Sequence, residues 1–131
     1  MNSMQHSLEV YNFDELIFSS DGKWLHPLLD LKVFLDNHKY DPHNIHVEDK
    51  IIGRAAASIL VYLNITSCYG EVISNLGLEI LEQHDINYSY GKLVSRIECK
   101  TEEILKGVSD PEEAYRIIVD RAKLAANPDL K

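Results

Sequence analysis

The chain has 131 residues and a formal net charge of −8, from 13 basic against 21 acidic side chains. That field repels phosphate backbones and argues against nonspecific nucleic-acid binding. An ordinary apolar content and this length predict one globular domain, residues 1–131, with residues 1–7 expected to lack order and a core that needs no staples.

Cys68 and Cys99 fit no disulfide framework and read as reduced thiols of a cytoplasmic protein. The N-terminus lacks the basic start and apolar core of a signal peptide, and the apolar stretch around residues 55–63 is too short to span a bilayer, so no membrane partner is expected.

In chain order, residues 8–12 and 14–19 read as two strands of a hairpin. Asp21-Gly22 then supplies a turn signal that calls for a positive backbone angle, and a short strand is expected at Trp24-Leu25. Pro27 suits the first turn of a helix running to about His38, with Leu28, Leu31, Val33, Phe34 and Leu35 as its apolar stripe. A loop over residues 39–44 leads to a short buried strand, Ile45 to Val47. A helix is expected from Lys50 to about Asn64, apolar enough on both sides to be covered on both faces. Residues 65–72 read as a strand, Ser74 as the cap of a helix over residues 75–84, and residues 87–93 as another strand. Asp110-Pro111-Glu112-Glu113 is a strong helix start: the Asp caps, Pro fits the first turn, and the acids favour the positive helix end. Strands alternating with helices predict an α/β protein, a three-layer α/β/α sandwich with a mixed sheet.

The most informative segment is Glu48-Asp49-Lys50, three charges placed before Gly53-Arg54-Ala55-Ala56-Ala57. Lys50 and Arg54 near a helix start oppose the helix dipole, which an anionic ligand held there would explain; pairing with Asp49 or Glu48 at an exposed edge would explain it equally well. His46-x-Glu48 matches half of a zinc deaminase signature, but the Pro-Cys-x-x-Cys half that supplies two thiolates is absent, and Cys68 and Cys99 each stand alone. His38, His43 and His46 beside Asp36 and Asp41 match no metal-site spacing closely, so no metal or cofactor is expected. Cys99 beside Lys100 reads either as a thiol of lowered pKa, with Glu102 or Asp49 as acid/base, or as a half-buried cysteine at a helix start. The seven tyrosines form no stacking stripe with basic residues, which argues against an RNA-binding sheet.

Several of these pieces together resemble a small prokaryotic family, the domain-of-unknown-function 1893 family. They are the hairpin with Asp21-Gly22, Pro27-Leu28-Leu29, Asp49-Lys50-Ile-Ile-Gly53-Arg54-Ala-Ala-Ala57, Val72-Ile73-Ser74, Cys99-x-x-Glu102 and Asp110-Pro-Glu-Glu-Ala114. The resemblance implies a cytidine-deaminase-like fold without zinc ligands, its Asp49 helix standing where deaminases hold their metal. It also implies a site around Asp49, Lys50, Gly53 and Arg54, with Cys99 and Glu102 approaching from the last loop. The chain departs from the family pattern at residues 95–98 and at Lys100. The reading that follows is a metal-free domain holding a small anionic or nucleotide-like molecule. The alternatives are a thiol-dependent enzyme using Cys99 and a structural protein, with self-association left open.

Overall fold

The computed structural model describes residues 4–97 and 100–126, the last three by their backbone alone. The first two strands, β1 (Leu8–Asn12) and β2 (Glu15–Ser20), form a hairpin whose turn puts Phe13 in the left-handed region at φ 53°. Next come α1 (His26–Asp36) and a single 3-10 turn at Pro42–Asn44, then β3 (Ile45–Ile52), α2 (Arg54–Tyr62), β4 (Ser67–Ser74) and α3 (Asn75–Gln83). The chain continues through β5 (Asn87–Val94) and the short α4 (Lys100–Ile104) to α5 (Pro111–Ala126).

The strands lie in the order β2-β1-β3-β4-β5. β1 is antiparallel to both neighbours, whereas β3, β4 and β5 are parallel and joined by the crossovers α2 and α3. The α/β class and mixed sheet read from the sequence are therefore correct.

Alternation along the strands sets the layers. Leu8, Val10, Val47 and Cys68 are buried on one face, with Val10, Val47 and Cys68 in register across three strands. They meet Leu28 and Leu31 of α1, Ile59 and Leu60 of α2, and Ile80 and Leu81 of α3 in one core. Each such side chain contributes roughly 1.5–3 kcal/mol of burial. The intervening residues, Glu9, Tyr11, His46, Glu48, Tyr69 and Glu71, are part-exposed and line the opposite face, where no helix packs among the described residues. This arrangement corrects the expectation of a helix layer on each side of the sheet. A sheet sandwiched by helices needs strands apolar at nearly every position, and β1 and β3 place charges at alternate ones.

α2 is the hub. Arg54 through Leu60 are all buried, because the sheet, α3 and α5 surround this helix. Small residues at Ala55, Ala56 and Ala57 let those neighbours close in. α5 supplies the fully buried Ala114 and Ile118, and Tyr115 stacks on Tyr62 at 4.1 Å. The expectation of cover on both faces of this helix holds.

The helix start does not fall where the periodicity placed it. β3 runs five residues past Val47, and α2 begins only at Arg54. Pairing decides this: Asp49 is in register with Leu8 on β1 and Gly70 on β4, and β4 carries the ladder on through Ile51 and Ile52. Asp49 and Lys50 are strand residues, and the Lys50 placement against a helix dipole disappears.

Two turn readings also change. Trp24-Leu25 is a turn rather than a strand, and the left-handed residue there is Trp24 (φ 58°), not Gly22. The caps agree with the sequence. Ser74 accepts from the Gly77 N–H at 3.1 Å, and Asp110 accepts from the Glu112 N–H at 3.3 Å. Gly77 is required where α3 crosses the end of β3. A Cβ there would stand 2.7 Å from the Ile52 carbonyl oxygen and 2.9 Å from that of Gly53.

Candidate functional site

A cavity of about 420 Å³ opens at the C-terminal end of β3, beside the first turn of α2. Ligands of open α/β sheets bind in this position, because strand ends and helix N-termini converge there with free polar groups. Its walls are mainly apolar, with Trp24, Ile51 and Ile97 among them, and its polar end holds Asp49 and the start of α2.

Asp49 lies on the helix-facing side of β3, in register with Leu8 and Gly70. Burial pushes its carboxyl up to about 7, only partly offset by the backbone N–H groups of Ile51 and Lys50. The Ile51 N–H is a distant donor, at 3.4 Å. No cation pairs with this carboxyl among the described residues. Burial, with a smaller push from the Asp49 charge, raises the Cys68 thiol to about 12, so Cys68 is an inert core residue.

Beside Asp49 stands a helix end without a side-chain cap, because its N-cap is Gly53. Four N–H groups at such an end lack partners within the helix. Glu102 takes the first, accepting from the Arg54 N–H at 2.9 Å. The Ala57 N–H is not among them, since it makes the helix's first internal bond, to the Gly53 carbonyl. The N–H groups of Ala55 and Ala56, both cavity residues, find no acceptor among the described residues. A helix N-terminus in this state favours a partial or full negative charge.

The other expected site residues are placed differently. The Arg54 side chain is 2% exposed and turned away from the cavity: Nη1 donates to Glu79 at 2.8 Å, and Nε and Nη2 donate to the Val108 carbonyl. It ties α2 to α3 and to the segment before α5, and only its backbone faces the site. Lys50 is exposed on the cavity wall. Gly53 does provide a close approach, but to protein: its Cβ would meet Ile97 Cδ1 at 2.5 Å and Glu102 Oε1 at 2.8 Å.

Glu102 is buried and fully engaged. Besides the Arg54 N–H it accepts from the Ser74 hydroxyl and from the Ile97 N–H at 3.0 Å. Three donors and a helix N-terminus neutralise this carboxylate, so it locks α2, α3 and the segment before α4 together. Cys99 lies outside the described residues. Sequence reasoning passed over Trp24, Ile51, Ile97 and the Ala55 and Ala56 N–H groups. Trp24 alone carried a signal, as a lone large aromatic beside a Gly turn.

The histidines do not converge. His46 faces Ser67 and Glu48 on the open side of the sheet, away from the cavity. His38 stacks on Phe34, and His43 pairs with Asp41. Among the described residues no group of three His, Cys, Asp or Glu side chains is arranged to hold a metal. No helix there is long and apolar enough to cross a membrane.

Fold and site thus define a small α/β protein with a mixed five-stranded sheet and a partly polar cavity at the end of a parallel strand. A family model described as Domain of unknown function (DUF1893) matches residues 1–122, and the chain belongs to that family. The crystal structure of a DUF1893 family protein, TM1506 from Thermotoga maritima, is similar to it. The two chains share 28% sequence identity and superpose with a TM-score of 0.76, over 88% of this chain and 80% of the other. No curated protein matches the chain.

Proposed function

We propose that this protein binds a small molecule in the cavity at the end of β3. One end of the ligand, a phosphate, carboxylate or carbonyl oxygen, accepts from the Ala55 and Ala56 N–H groups. Another group, a hydroxyl or amine, bonds to Asp49, and the ligand's apolar body lies against Trp24, Ile51 and Ile97. The observation that carries this reading is the pairing, in one cavity, of a carboxyl that no cation neutralises, pushed up to about 7, with the two N–H groups at the start of α2 that Glu102 leaves without an acceptor.

Lys50 adds charge from the wall, while Arg54 acts through the backbone it positions. The deaminase-like reading of the fold belongs with this proposal, supported by a cavity at the start of the helix after β3. A cytoplasmic setting is consistent with the inert thiol of Cys68. The thiol-enzyme reading gains no support, because the Glu102 carboxylate is already held by three donors.

Calorimetric titration with nucleotides and related small anionic metabolites tests the proposal. A ligand of this site binds wild type at least about tenfold more tightly than Asp49→Asn, a difference of about 1.4 kcal/mol. Equal binding to both proteins, or no binding to wild type by any compound of the class, overturns it.

A further inference from the structure

The sheet ends in β5, and that edge is built differently from the rest of the molecule. All eight residues of β4 are partly or wholly buried, with a ladder on both sides, whereas among the described residues β5 pairs only with β4. Its sequence, Asn-Tyr-Ser-Tyr-Gly-Lys-Leu-Val, holds one charge and no proline, and its register with β4 runs without a bulge. Tyr90 is 43% exposed and Leu93 38%. Protective edges use charges, prolines, bulges or short strands; an eight-residue edge that uses almost none of these is a pairing surface.

The direction of its free hydrogen-bonding groups follows from one contact. The Asn87 N–H donates to the Thr66 carbonyl at 2.9 Å, on the β4 side. Alternation along a strand then turns the N–H and C=O of Ser89, Gly91 and Leu93 toward β4, and those of Tyr88, Tyr90 and Lys92 outward. Side chains agree with this parity. Tyr69 reaches Gly91 on the open face of the sheet, while Tyr88, on the helix side, packs on the core and donates to Glu82 of α3.

We propose that β5 is the contact surface for a second copy of this chain, pairing antiparallel with its counterpart about a two-fold axis at Tyr90. Opposed residues in an antiparallel pair must share a face, and a two-fold axis at an outward residue gives a doubly hydrogen-bonded pair at the centre. Tyr90 then faces the partner's Tyr90, and Tyr88 faces the partner's Lys92. The latter match is complementary in charge: Tyr88 is bonded to Glu82, so the incoming ammonium meets a tyrosine ring and a carboxylate. Lys92 has no ion pair of its own among the described residues. The two sheets become one of ten strands, with each cavity left open at the far end of β3.

Light scattering after size exclusion, at tens of micromolar protein, decides the matter. Wild type runs as a dimer. Tyr90→Pro removes an outward N–H and no bond to β4, so it gives a folded monomer by far-UV circular dichroism. Lys92→Glu sets like charges against Glu82 and weakens the dimer about tenfold or more, and adding Glu82→Lys restores it. The charge swap decides even if Tyr90→Pro fails to fold. A monomeric wild type, a dimer that survives in folded Tyr90→Pro, or a swap that restores nothing overturns the proposal.

Discussion

Two carboxylates flank the first turn of α2, and they live in opposite conditions. Glu102, brought from 48 residues away, accepts from Arg54, Ser74 and Ile97 and is sealed from solvent. Asp49, only five residues before the first residue of the helix, has only weak backbone donors and is pushed up to about 7 by burial. A buried charge with a full set of donors belongs to the architecture, since its energy is already spent on holding elements together. One left short of donors beside an open cavity is free to interact with something else. Titratable residues in a small α/β protein are therefore better sorted by what satisfies them than by how deeply they lie.

Replacing the two acids separately is the strongest way to break this contrast. Glu102→Ala strands the Ser74 hydroxyl and the Arg54 and Ile97 N–H groups and loosens three elements, so urea unfolding should show a loss of about 3–4 kcal/mol. A stable Glu102→Ala protein that loses only ligand binding would reverse the assignment. Gly77→Ala probes the same junction from the backbone side. Its Cβ has nowhere to go between the Ile52 and Gly53 carbonyls, and the same measurement should register about 2–3 kcal/mol.

Asp49→Asn should act in the other direction. The folded Asp49 carboxyl titrates near 7, above its ordinary 3.8, so the folded chain binds more protons than the unfolded one between those values. Stability from this residue is therefore present at acid pH and lost as pH rises from about 4 to 7. Thermal melts across that range should flatten in Asp49→Asn, with the variant about 1–2 kcal/mol more stable at pH 7. Lys50→Ala gives the smallest effect. As an exposed residue it should leave stability within about 0.5 kcal/mol and change only the affinity of a charged ligand, read by titration at low and high salt.

Much of this protein was legible before folding was considered. The order of strands and helices, the Ser74 and Asp110 caps and the apolar run of α2 are local facts, set by residues close together in the chain. The cavity, too, opens beside the segment around Asp49 that the charge pattern singled out. The roles inside that segment were not legible. Whether residues 49–52 join a strand or a helix depends on β1 and β4, which lie far away in sequence and supply the ladder bonds. Arg54 looked like an anion ligand because nothing nearby predicts that Val108 and Glu79 will claim its guanidinium. Glu102 looked like an acid/base for the same reason: its donors come from three separate segments.

The alternation of Glu9, Tyr11, His46 and Glu48 with apolar neighbours was present in the sequence, but the three-layer expectation passed over it. The sequence by itself determined the elements and their order, because hydrophobic periodicity and capping act over a few residues. Only the tertiary structure decided which charges became struts and which remained available, because a buried polar group is defined by partners that arrive from elsewhere in the chain.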